Sequence, residues 1–98
     1  MSKASDKVNS QELYRAILSL ESEDECRRFF KDLCTIAELR AMEQRYDVAV
    51  LLDQGLVYRD ILERTGASSA TISRVNKALN YGEEGYKDVL RHMREQDS

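Results

Sequence analysis

Proline and tryptophan are missing from the 98 residues altogether, and glycine occurs only four times. Without proline there is no built-in helix breaker, and so few glycines cannot serve the many tight turns of a stranded fold. No apolar run approaches the ~20 residues that a bilayer-spanning helix requires. The first ten residues, Met1 to Ser10, are polar and lack the apolar centre of a signal peptide. Both features lead to the expectation of a cytoplasmic protein with no membrane partner. The lone histidine, His92, is far from Cys26 and Cys34, and nothing in the chain has paired-ligand spacing, so no metal site is expected. In a helical pattern the two cysteines are separated by about 12 Å of rise, too far for a disulfide between them. They read as small buried apolar groups in a reducing compartment. A Gly-rich phosphate loop is absent, as is a nucleophile with a recognisable general base. The expectation is therefore neither an enzyme nor a cofactor carrier.

What the chain has in quantity is charge, 34% of its residues, beside a hydrophobic fraction of 42%. That balance suits one domain of solvated, amphipathic helices. Residues 1–8 have no periodicity and read as a mobile arm, leaving residues 9–98 as a single domain. Asn9 or Ser10 is placed to cap a first helix with Leu13, Tyr14, Ile17 and Leu20 along one stripe. Ser22 with Glu25 forms a capping box ahead of Cys26, Phe29, Phe30, Leu33 and Cys34, one apolar helix face. Thr35 with Glu38 repeats the box and opens a longer helix, with apolar Leu39, Met42, Tyr46, Ala49, Val50 and Leu52, that ends at Gly55. A fourth helix from Tyr58 to Thr65 stops at Gly66, a fifth starts after Ser68, and Asn80-Tyr81-Gly82 breaks it. A last helix carries Tyr86, Val89, Leu90 and Met93. The fold class is all-α, and its apolar stripes exceed what one small globule hides. The first, second and last helices are expected to pack against a second copy, making a homodimer.

The net charge of −3 argues mildly against a nucleic-acid partner, but its distribution matters more. Glu21, Glu23, Asp24 and Glu25 gather negative charge at a helix start, where the dipole favours it. From Arg64 to Gly82 there is no acid, whereas Arg64, Arg74 and Lys77 are basic. Within that stretch, Gly66 supplies the left-handed turn that two helices crossing sharply require. Ile61, Thr65, Ala67, Ile72 and Val75 fall at inward positions; Leu62 departs from the small residue expected at the crossing. The outward set on the fifth helix is short near its start and basic further on. Ser68, Ser69, Ala70, Thr71, Ser73, Arg74 and Lys77, with Arg59 from the preceding helix, are the candidate DNA-binding residues. Short side chains admit a helix N-terminus into the major groove, hydroxyls and free N–H groups suit phosphates, and Arg can fork onto guanine. Tyr81 and Tyr86 are expected to pack the last helix rather than stack on bases, and Arg27 and Arg28 to form a solvated salt-bridge surface.

The stretch Gly66-Ala-Ser-Ser-Ala-Thr-Ile-Ser-Arg74, with Thr35-Ile-Ala-Glu-Leu-Arg-Ala-Met-Glu-Gln-Arg45 upstream, resembles the tryptophan repressor superfamily. More narrowly it is similar to short bacterial Trp-repressor-related proteins whose ligand is not established. The resemblance covers roughly residues 9–95. It implies a six-helix Trp-repressor-like fold with a helix-turn-helix reading head at about 58–80, in an intertwined homodimer bound to double-stranded, pseudo-palindromic DNA. It also implies an effector pocket. Arg45 and Arg74 match the two arginines that enclose the corepressor's indole, and Thr35 matches the threonine near its amino group. Val75 stands where the repressor has glycine and Ala78 where it has serine, while Asp32 and Cys34 replace ligand-side leucines. A branched side chain in a space sized for an aromatic ring costs on the order of 1–3 kcal/mol or excludes the ring. Tryptophan is thus disfavoured, leaving either no small effector or a smaller, unknown one. The expected function is a sequence-specific transcriptional regulator, a repressor by resemblance. The alternative is a helical dimeric interaction module that has kept the fold but lost DNA binding.

Overall fold

The computed structural model describes residues 10–97. The mobile arm and the Asn9 cap expected from the sequence lie outside them. Six helices follow in order: α1 (Ser10–Leu18), α2 (Glu23–Leu33), α3 (Ile36–Asp53), α4 (Tyr58–Thr65), α5 (Ser69–Tyr81) and α6 (Gly85–Asp97). No strand occurs among the described residues. The chain divides between Ile36 and Ala37 into two compact units.

In the first unit, the expected capping box opens α2. The Ser22 hydroxyl accepts the Glu25 N–H at 3.0 Å, and Glu25 Oε1 accepts the Glu21 N–H at 2.9 Å. The return bond thus reaches the residue before the cap. Asp24 holds Arg27 and Arg28 at 3.5 and 2.9 Å, as expected for a solvated ion-pair surface. Phe29 and Phe30 meet edge to face with centroids 5.6 Å apart. Yet no described residue of this unit with a described side chain is buried, and Leu18 is 84% exposed. Cys26 and Cys34 are free thiols, half-buried rather than buried.

The second unit has a core formed by Val48 and Ala49 of α3, Ile61 of α4, Ala67 of the following turn, and Ile72 and Val75 of α5. Leu51, Leu52, Leu56 and Tyr86 pack around it. The α3 terminus is closed as its glycine suggests. Gly55 has φ +87°, its N–H donates to the Leu52 carbonyl at 3.0 Å, and the Leu56 N–H reaches the Leu51 carbonyl at 3.1 Å. These are the two bonds of a Schellman ending, and the accompanying apolar contact is met by Leu51 and Leu56, both packed on the core. At the far end of α5, Gly82 caps the helix through its N–H to the Ala78 carbonyl. A Cβ there would collide with that carbonyl oxygen. One sequence expectation is revised. Tyr81 is the last residue of α5 and 85% exposed, whereas Tyr86 does pack on the core. Ile61 faces the core as expected, while Leu62 is 44% exposed.

Candidate nucleic-acid interface

The connection between α4 and α5 is short and tied down at every residue. Gly66 ends α4 with φ +73°, a left-handed conformation that costs L residues ~1–2 kcal/mol, and donates its N–H to the Leu62 carbonyl at 2.8 Å. The Thr65 hydroxyl donates to the Ile61 carbonyl at 2.7 Å and accepts the Ala67 N–H at 3.1 Å. From α3, Gln44 Nε2 donates to the Thr65 carbonyl at 3.2 Å. Ser68 then caps α5, its Oγ accepting the Thr71 N–H at 3.1 Å and donating to Thr71 Oγ1 at 3.1 Å. Sequence reasoning missed Gln44, since a single glutamine in a helix carries no positional signal of its own.

Beyond the cap, α5 has two distinct faces. Ile72, Val75 and Leu79 are buried. Ser69, Ala70, Ser73, Arg74 and Lys77 are all exposed, and at 3.6 residues per turn they occupy about 140° of arc. Thr71 lies half-buried beside them, and Arg59 is exposed on α4. Of the eight candidate residues, Ser68 is the one whose hydroxyl is already engaged on both sides. The N–H groups of Ser69 and Ala70 have no acceptor among the described residues. Arg15, Arg27, Arg28, Arg91 and Arg94 each hold a carboxylate, whereas Arg40 and Arg45 make no ion pair with a described residue. Arg59, Arg64, Arg74 and Lys77 make no ion pair with a described residue. The acid-free stretch therefore leaves its cations available to an outside anion.

The residues of the implied effector pocket are dispersed in their environments. Val75 is 1% exposed within the core, Arg45 is half-buried, Arg74 and Ala78 are exposed, and Thr35, exposed, belongs to the first unit. An open groove of about 550 Å³ in the second unit is lined by Tyr46, Ala78, Tyr86 and Val89 and the Gly82–Gly85 turn. Of the five pocket residues it takes only Ala78. Among the described residues there is no cluster of metal-binding side chains and no helix long and apolar enough to cross a membrane.

The sequence pattern of the family described as Trp repressor protein matches residues 9–94. This chain belongs to the Trp repressor family. Its relatives include the uncharacterized protein YerC of Bacillus subtilis (strain 168), 46% identical over 95% of this chain and 92% of that protein. Two crystal structures are similar throughout. A TrpR-like protein from Eubacterium eligens ATCC 27750 superposes with a TM-score of 0.83 at 47% identity, over 93% of this chain and 95% of that one. A Staphylococcus aureus protein described as a candidate Trp repressor gives 0.84 at 42% identity, over 95% and 96%. The fold is thus Trp-repressor-like, in a family of DNA-binding regulators rather than enzymes.

Proposed function

We propose that the protein is a sequence-specific transcriptional regulator, acting as a homodimer that reads duplex DNA through α4 and α5 as a helix-turn-helix. The observation that carries this reading is the exposed face of α5. It combines N–H groups at Ser69 and Ala70 with no acceptor among the described residues, short side chains, and cations with no carboxylate partner among the described residues. Ser69, Ala70 and Ser73 meet base edges or phosphates at the groove, Arg74 forks onto a guanine, and Arg59 and Lys77 hold the backbone. Thr71 Oγ1 already accepts the Ser68 hydroxyl, which leaves its own proton to donate outward, while Ser68 serves as the cap. Two such helices about 34 Å apart recognise a pseudo-palindrome, and repression follows where that site overlaps a promoter. Burial of Val75 in the core supports a reader that works without tryptophan.

The test is selection of bound duplexes from a random pool, using wild type and Arg74→Ala, at two salt concentrations, with and without millimolar tryptophan. A two-fold-symmetric consensus that is blunted in the variant and indifferent to tryptophan is expected. Loss of a bidentate guanine contact costs about 1–3 kcal/mol of discrimination. Sequence-indifferent recovery from both proteins would instead favour an interaction module, a reading to which the net charge of −3 lends some support. A consensus that appears only with tryptophan would restore the corepressor.

A further inference from the structure

The half-buried amide of Gln44 reaches from α3 to the end of α4, across 21 positions of sequence. Its acceptor is the carbonyl of Thr65, the last residue of α4. That carbonyl belongs to the helix-terminal set which has no intrahelical donor. One turn further along α3, on the same face as Gln44, Val48 is fully buried in the core. Gln44 therefore stands at the rim of the core. The backbone it grips leads through Gly66 and Ala67 to the Ser68 cap in three residues. A second long-range side-chain bond among the described residues, Arg94 to Asp53 at 2.6 Å, is solvent-exposed and lies between α6 and the end of α3.

We propose that Gln44 is a positioning residue for DNA reading. Its Nε2 fixes the turn to α3 and so sets where the N-terminus of α5 meets the groove. The inference rests on the reading of α5 as the DNA-contacting helix, and touches no base or phosphate itself. A reading surface must be held to about half an ångström to discriminate between sequences, whereas backbone attraction tolerates more play. Loss of the Gln44 bond is thus expected to relax specificity more than overall affinity.

The experiment compares wild type, Gln44→Met and Gln44→Lys in the full chain. Methionine keeps length and apolar contact but cannot donate; lysine retains a donor. Two readouts are taken. The first is amide hydrogen exchange at Gly66–Thr71 relative to core amides at Val48 and Val75. The second is the ratio of affinities for the selected operator and a random duplex at equal salt. In Gln44→Met, exchange in the turn is expected to quicken with the core unchanged. The affinity ratio is expected to fall about threefold to tenfold, the span of one net hydrogen bond, with an unaltered salt slope. Gln44→Lys should restore both. Slowed exchange of the Gln44 side-chain amide in the wild type gives a further check that needs no substitution. An unchanged ratio in a Gln44→Met protein that still binds DNA overturns the role of Gln44 alone. A wild type with no salt-sensitive duplex binding overturns the reading of α5, and the positioning role with it, whatever the exchange shows.

Discussion

Glu84 has φ +71°, and no other non-glycine residue among those described has a positive φ. Its carbonyl accepts the Asp88 N–H at 2.9 Å, so this backbone begins α6 and cannot simply relax. Left-handed geometry costs an L residue ~1–2 kcal/mol, partly offset on mutation to glycine by the greater freedom of the unfolded chain. Glu84→Gly is accordingly expected to raise stability by about 1 kcal/mol, seen as a higher urea midpoint with an unchanged slope. No gain would mean that the side chain contributes something its exposed position does not reveal. The contrast with Gly66 explains what was legible at this scale. At Gly66 the left-handed turn is met by the residue type that favours it, so the sequence announced the turn. At Glu84 the same conformation is imposed on a residue that gives no sign of it. Gln44 was illegible for a related reason, because its partner is a backbone carbonyl and leaves no complementary residue to find.

At the scale of elements, the boundaries of α2, α4 and α5 follow closely from Ser22, Gly66 and Ser68, because caps are local chemistry written in local sequence. Which face of a helix is buried was less secure. Val48, at the centre of the core, was not among the apolar positions singled out on α3, since that helix is apolar on several sides and no single stripe stands out. The outward face of α5 was legible as a group, its positions being exposed or half-buried. The roles within it separate only once hydrogen bonds are known. Ser68 is spent on the cap, so Ser68→Ala should cost about 1 kcal/mol of stability and leave the salt dependence of DNA binding unaltered. Lys77→Ala should do the reverse, with stability held and the slope of log affinity against log salt reduced by about one. Should Ser68→Ala also lower the slope, Ser68 would be a phosphate contact after all.

At the scale of the whole molecule, the unresolved demand is apolar surface. Leu13, Tyr14 and Leu18 on α1, Leu33 on α2, Ile36, and Val89 and Met93 on α6 are all at least 39% exposed. Isolated exposed leucines are ordinary, but whole helices without a buried side chain mark an interaction surface. The occupant we propose is a second copy of the chain, which would also supply the second reading helix that a palindrome requires. If folding and association are coupled, stability depends on concentration: the midpoint of thermal unfolding should rise roughly 5–10 °C between about 1 and 100 µM protein. Leu18→Asp makes the test sharper. In a monomer a side chain that is 84% exposed can be replaced for about half a kcal/mol or less. At a dimer interface the same change buries an unpaired carboxylate, and the concentration dependence should shift by an order of magnitude or more. A midpoint that ignores concentration, together with an innocuous Leu18→Asp, would leave a monomer with one reading helix, and the expected two-fold symmetry of its DNA site would go with it.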